Sequence, residues 1–333
     1  MARGEILPPM ATPQAEAGHR AAGQHTPAGG PGRRPAATGR RRWRRIRKAL
    51  LPVLYLAPAG VLYALFLLAP LGHTIWISFF QWDGLTRATW TGLGNYTQAL
   101  TDPELRGALG HSLVLIVFYA ALPIAAALLV TAIMVRTPKL RGLGAVRVIL
   151  FLPQVVATVV IATLWAQLLA PAGTINDLLN RVGLGSLTQD WLGGFHTALP
   201  SVGFIGTWIE TGFCLLLFLA GTTQIPRELY EAARVDGASA RQEFFAVTLP
   251  GLRGQIVVAL VLTVTAALRT FDVIFITTSG GPGTATEVPA FEIYHRAFQI
   301  GLVGSACALG VLLTLIIFAL TLLITRLDRG SRP

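Results

Sequence analysis

Charged residues are scarce in this chain, 13% of 333 residues against 53% hydrophobic, where ordinary globular domains carry roughly 25% charged residues. That deficit, with a mean hydropathy of +0.59, argues against a water-soluble fold and for a polytopic membrane protein. Cysteine is nearly absent. Cys214 and Cys307 both lie in apolar runs with no partner spacing, so neither a disulfide framework nor a zinc site is indicated. The six histidines are scattered, with no pair at i, i+4, and no metal site is expected. There is no G-x-x-x-x-G-K-[ST] loop to cradle a nucleotide, and Gly280-Gly281-Pro282-Gly283, lacking a following lysine, reads as a turn. G-x-S-x-G, H-E-x-x-H and any plausible triad are also missing. No catalytic residue and no cofactor is expected, and the chain does not read as an enzyme.

The net charge of +11 invites a nucleic-acid reading, but the positions of the charges oppose it. Of 27 Lys and Arg residues, 11 fall in residues 1–50, four in each of 136–147 and 221–255, and three after Thr325. Alternation between successive loops is the positive-inside pattern, so the charge reports topology. Between the basic loops lie six apolar runs, at 50–76, 112–135, 148–169, 202–220, 256–277 and 303–325, each near the roughly 20 residues of a spanning helix. The expected fold is therefore all-α with six transmembrane helices and both termini cytoplasmic. Residues 1–48 read as a disordered basic cytoplasmic tail, 49–326 as the membrane domain and 327–333 as a cytoplasmic tail. RRRWRRIRK at 40–48 could open a secretory or twin-arginine signal, but the apolar stretch after it is too long for a signal core. A juxtamembrane anchor on the anionic lipid of the cytoplasmic face is the better reading.

One polar insert interrupts the apolar sequence, EAARVDGASARQEFFAVTLP at 231–250. It predicts two short helices. Pro226 suits a first helical turn, Gly237 suits the left-handed position that ends a helix, and Ser239 with Gln242 forms a capping box for the second helix, which Pro250-Gly251 ends. Leu229, Ala232, Ala233 and Asp236 share one face at helical spacing, and the two alanines make it shallow enough for another backbone to approach closely.

Polar residues inside the runs are the candidates for a pathway, because a charge in hydrocarbon faces a partner or a cavity. Glu210 lies midway along the fourth run without a local partner, so a pathway role and a bond to a second subunit both remain open. Arg269 and Asp272, one turn apart in the fifth run, are expected to neutralise each other. Trp165, Trp208 and Phe271 could stack on a sugar ring or simply pack. Trp82, Trp90, Trp191, Tyr96 and Tyr294 in the outer loops suit an aromatic belt. Gly304, Ala306, Ala308 and Gly310 offer small-xxx-small spacing for close helix packing.

The stretch 228–250 closely resembles the EAA loop of binding-protein-dependent ABC importer permeases, with Glu231, Ala232, Ala233, Asp236, Gly237, Ala238, Phe244 and Pro250 on the motif. LAGTTQIP (219–226), FLPQVVATVVIATLW (151–165), GTINDLL (173–179) and FDVIFITTSGGPGTATEV (271–288) are similar to the carbohydrate-uptake branch, which serves maltose, other oligosaccharides and glycerol-3-phosphate. SFFQWDG (78–84) and GLGNY (92–96) point to the first of the two permeases in such systems. The resemblance implies a type I ABC importer permease in the plasma (inner) membrane, paired with a second permease. It also implies a cytoplasmic ABC ATPase dimer and an extracytoplasmic solute-binding protein as partners. The EAA helix would sit in a cleft of one ATPase subunit, with Glu231 taking a basic partner. The cargo would be a sugar or, alternatively, an anionic polyol such as glycerol-3-phosphate. An ion-coupled secondary transporter, which would use acids or broken helices within its spans, and a membrane-tethered nucleic-acid binder resting on 40–48 alone are the weaker alternatives.

Overall fold

The computed structural model describes residues 55–137 and 142–329. The basic tail expected at 1–48, together with Lys139, Arg141 and residues 330–333, lies outside the described residues. The chain divides into two units, Met1–Val61 and Leu62–Pro333. Of the first, residues 55–61 are described, and they are helical.

In chain order the elements are α1 (Tyr55–Ile77), β1 (Phe80–Gln81), β2 (Thr89–Trp90), α2 (Gly94–Thr101), α3 (Pro103–Arg136), α4 (Leu143–Val155) and α5 (Thr158–Leu168). They continue with α6 (Thr174–Arg181), α7 (Ala198–Thr222), α8 (Arg227–Val235), α9 (Ala240–Gly251), α10 (Arg253–Arg269), α11 (Asp272–Thr277), α12 (Pro289–Tyr294) and α13 (Val303–Arg329). Helices α1, α3, α7 and α13 are each long and apolar enough to cross a bilayer. The pairs α4/α5 and α9/α10 pass the same test jointly but bend by 106° and 69°, so the described residues provide four to six spans. Helix dominates because a lipid-embedded backbone must satisfy its own hydrogen bonds.

The third and fifth runs are less regular than their hydropathy suggests. At the first break Val156 is extended (φ −88°, ψ 138°), and Gln154 Nε2 donates to the Ile209 carbonyl of α7 at 2.8 Å, fixing the bend against a neighbouring helix. In the fifth run α10 ends at Arg269, Thr270 is extended (φ −61°, ψ 122°), and α11 starts again at Asp272. The Thr270 hydroxyl sits 3.1 Å from that of Tyr119 on α3, which anchors this second break. Tyr119 belongs to a π-turn, Val117–Ala121, immediately before Pro123. Its carbonyl is the one that the missing N–H of Pro123 would leave without a regular helical donor.

Helix α7 is the axis of the packing. Val202, Ile205, Cys214, Leu215 and Phe218 along it are almost fully buried. A Cβ on Gly212 would fall 2.1 Å from the Leu150 carbonyl oxygen, so glycine is what lets α4 touch α7 there. One core gathers around Leu115, Tyr119, Ile205 and Ile274, and a second around Ala127, Phe218, Tyr230 and Leu252. By contrast Leu113 and Leu129 of α3 are each 63% exposed and Phe318 of α13 is 61% exposed. Such surfaces need lipid or a partner chain to cover them.

The all-α expectation misses one small feature, the antiparallel hairpin β1–β2, with Phe80 opposite Trp90 and Gln81 opposite Thr89. The Asp83 carboxylate closes its turn by accepting from the Leu85 and Thr86 amides at 2.9 and 2.7 Å. The hairpin explains Gly304. A Cβ there would lie 1.9 Å from the Phe80 carbonyl oxygen, and the Gly304 amide donates to the Trp82 carbonyl at 3.1 Å. Gly304 thus seats the hairpin on the start of α13, a strand contact in place of the expected helix contact, while Gly310 faces open space.

Candidate functional site

The polar insert folds as two helices joined by a left-handed glycine. Pro226 is the N-cap of α8, Asp236 its C-cap, and Gly237 follows at φ +74°. The Ala238 amide then reaches back to the Ala233 carbonyl at 2.9 Å, closing the end of the helix. Both halves of the Ser239–Gln242 capping box form at the start of α9.

The insert is tied down from one side and bare on the other. Tyr230 is buried, its hydroxyl 3.3 Å from that of Thr248. Arg234 Nε and Nη2 donate to the two carboxylate oxygens of Glu243 at 3.0 and 3.2 Å, a bidentate clamp between α8 and α9. Its bond to Glu243 raises the already basic Arg234 guanidinium further. The opposite face presents Glu231, Ala232, Asp236 and Gly237 exposed and Ala233 and Ala238 half-buried, beside Leu229, 51% exposed, and Val235, 87% exposed. Phe244 is half-buried and packs edge-on against Phe245, and Pro250 is exposed. Sequence spacing could not reveal the clamp, because residues nine apart meet only through the turn at Gly237.

The pathway candidates divide. Trp165, Trp208 and Phe271 all pack against the core around Leu115 and Ile274. Trp165 meets Trp208 edge-on with centroids 5.6 Å apart, whereas Phe271 stacks on Phe275 at 5.2 Å and touches Tyr294. Glu210, half-buried beside Ile209, has no hydrogen-bond or ion-pair partner among the described residues. The expected neutralisation of Arg269 by Asp272 does not occur. Both are exposed and no ion pair joins them, because the extended Thr270 interrupts the helix between them.

Next to Trp165 lies a cavity of about 490 Å³ at the loop ends of α5 and α7, lined by Trp165, Trp191, Phe204, Gln189, His196 and Ser201 among others. Trp191 is locked in place, its Nε1 donating to Asn176 Oδ1 at 2.8 Å. Trp90 packs with Trp76, Phe79 and Phe80, and Tyr96 bonds Ser78 at 2.5 Å. These loop aromatics therefore fasten the loops to the helices.

A charged knot joins the segments flanking the same end. Arg296, 4% exposed, donates Nε to Glu292 Oε1 at 2.5 Å, Nη1 to Ser305 Oγ at 3.1 Å, and Nη2 to Asp102. Burial works against the Asp102 carboxylate, but the bonds from Arg296 and the Glu104 amide leave it below the usual carboxylate range. Glu287, Glu292 and His295 are the group among the described residues whose ligand atoms, all within 4.8 Å of one another, could hold a cation. Arg296 already occupies Glu292, so the cluster is an ion-pair knot. The i, i+4 spacing of Glu292 and Arg296 was a visible signal, whereas the 194-residue reach to Asp102 was not.

Burial, with Glu292 and Glu104 nearby, pushes the Glu287 carboxyl up to about 7 from its ordinary 4.5. Between those values the folded chain holds a proton that the unfolded chain has released. This contribution to stability is complete below the unfolded value and is lost as pH rises through the folded one. Glu287→Gln is therefore expected to flatten the fall in melting temperature between about pH 5 and about pH 8. Melting curves in detergent across that range check this, and parallel pH profiles would contradict it.

Residues 131–333 match the family model for the binding-protein-dependent transport system inner membrane component. The "Probable ABC transporter permease protein YurN" of Bacillus subtilis (strain 168) is 35% identical over 276 residues, 82% of this chain and 94% of that protein. The "Diacetylchitobiose uptake system permease protein NgcF" of Streptomyces coelicolor is 33% identical over 314 residues, 89% of each. Among solved structures, a chain of a bacterial ABC transporter involved in the import of the acidic polysaccharide alginate matches with a TM-score of 0.73 at 25% identity. That match covers 88% of this chain and 100% of the other.

Proposed function

Because the chain belongs to the family of binding-protein-dependent transport system inner membrane components, as a permease subunit of an ABC importer with no catalytic activity of its own, we propose that its cargo is a sugar. We propose further that the chain works as a six-span type I subunit with cytoplasmic termini, the membrane domain running over 49–326. It pairs with a second permease, receives solute from an extracytoplasmic binding protein and is driven by a cytoplasmic ATPase dimer. The observation that carries the reading of an ATPase-driven subunit is the bare face of α8 around Glu231, Ala232 and Asp236, held from behind by Arg234–Glu243. A rigid, shallow, acidic-edged helix outside the membrane core suits transmission of force from a partner.

For the cargo, the aromatic cavity beside Trp165 offers ring faces with Gln189, His196 and Ser201 at hand, the mixture that suits a sugar with one apolar face and many hydroxyls. The relatives named above take up diacetylchitobiose and alginate. Glu210, without a hydrogen-bond or ion-pair partner among the described residues, lines the pathway together with Trp208, Phe271 and Asp272. A second reading, an anionic polyol, draws on Arg269, which is exposed without an ion-pair partner among the described residues.

The test is ATP-driven uptake by the importer in vesicles, with the solute first identified by a thermal-shift screen of its binding protein across sugars and polyol phosphates. Glu210→Gln is expected to change uptake several-fold with unchanged assembly. Normal uptake would return Glu210 to a packing role, and stabilisation of the binding protein by polyol phosphates alone would favour the second reading.

A further inference from the structure

A second cavity, of about 380 Å³, lies where α3 meets α9, apart from the bare face of α8, and of the motif residues Phe244 lines it. It is lined by Leu129, Ile133 and Arg136 from α3 and by Arg241, Phe244 and Phe245 from α9. Leu129, Ile133 and Arg136 follow one another at i, i+4 and i+7, so they share one face of the helix. Leu129 is 63% exposed, Ile133 49% and Phe245 57%. The face runs from apolar to cationic over about 10 Å, ending at Arg136 in the last turn of α3.

The charge in this cavity is one-sided. Its single acid, Glu243, is consumed by the bidentate bond from Arg234. Arg136 and Arg241 are both exposed, and neither makes an ion pair with a described residue. Two free guanidiniums at the end of an exposed apolar strip match an amphiphile with an anionic head. A free phosphate would leave the strip bare, and a neutral lipid would leave the arginines unpaired.

We propose that this cavity seats an anionic phospholipid of the cytoplasmic leaflet, its phosphate between Arg136 and Arg241 and an acyl chain along Leu129 and Ile133. The proposal rests on the cytoplasmic placement of the α8–α9 loop given above. The bound lipid bridges a membrane span to the coupling loop, so the anionic lipid content of the membrane sets how firmly α9 is held while α8 is moved.

The experiment uses the assembled importer in nanodiscs of phosphatidylglycerol and phosphatidylcholine, counting retained lipids by native mass spectrometry and measuring uptake in vesicles of the same mixtures. The wild type is expected to retain phosphatidylglycerol about tenfold in preference to phosphatidylcholine, as two arginines at a membrane surface predict. Arg136→Gln with Arg241→Gln should reduce the preference to near unity, and Arg136→Lys with Arg241→Lys should keep most of it, which separates lost charge from lost folding. An unchanged preference in the Gln pair overturns the site. So does a preference that appears in the isolated permease but vanishes in the assembled importer, because a protein partner then fills the cavity. Absence of ATP-driven uptake by the wild type in every mixture would count against the permease reading, and equal lipid retention with normal uptake against the lipid site alone.

Discussion

Replacing Arg296 by methionine is expected to destabilise the protein by about 3–5 kcal/mol, because it leaves the buried Glu292 and the partly buried Asp102 carboxylates without their counter-charge. The Glu292 side chain is 4% exposed and that of Asp102 18%. Glu292 cannot recover its hydration where it stands, and Asp102 can do so only in part. Methionine matches the aliphatic stem of arginine in reach, so the loss falls on the charge and its bonds to Asp102, Glu292 and Ser305. The measurement is denaturant unfolding in detergent. Neutralising the orphaned acids in the triple variant Arg296→Met, Glu292→Gln, Asp102→Asn should restore most of the loss, since a pair replaced whole is far less costly than a pair broken. The control is Arg181→Met, whose ion pair with Asp177 leaves the two side chains 76% and 62% exposed. It should cost no more than about 1 kcal/mol. Equal small effects at both positions would refute the buried-knot reading.

Arg296 also marks where the sequence stopped being legible. In the sequence it is one more basic residue of a weakly basic outer loop, and only the fold brings Asp102 to it from 194 residues away. Elements governed by local rules were readable in advance. The long apolar runs became α1, α3, α7 and α13, Gly237 took the left-handed conformation, and Ser239 and Gln242 formed their capping box. The two broken spans share one physical origin, since hydropathy records greasiness and is blind to bends. Residues 148–169 and 256–277 look continuous by composition, yet Val156 and Thr270 are extended because Gln154 and Tyr119 hold the backbone to neighbouring helices. The same break at Thr270 defeated the assumption that Arg269 and Asp272 would pair at helical spacing. Gly304 reads as a helix-packing glycine because nothing local announces the two-residue strands that lie on it.

The other large effect is expected at the proposed coupling loop, where a graded series at one residue separates backbone geometry from side-chain contact. Gly237 sits at φ +74° with open space within 4 Å of where a Cβ would be. Gly237→Ala meets no steric neighbour and incurs only the left-handed backbone penalty of about 1–2 kcal/mol. Gly237→Pro demands φ near −65° and cannot keep the turn that lets Arg234 reach Glu243. The alanine variant should retain most ATP-driven uptake, while the proline variant loses it with its spans still inserted, as protease accessibility of the loops would report. Glu231→Arg tests the contact itself. Glu231 is exposed, and reversing its charge leaves the buried anchors Tyr230 and Thr248 untouched. If a basic group of the ATPase meets it across a desolvated interface, retention of the ATPase by the permease should fall at least about tenfold. Uptake should fall with it, and ATP hydrolysis by whatever ATPase remains should no longer respond to loaded binding protein. Unchanged ATPase retention in both the proline and the arginine variants would mean that the bare face of α8 is not the docking surface.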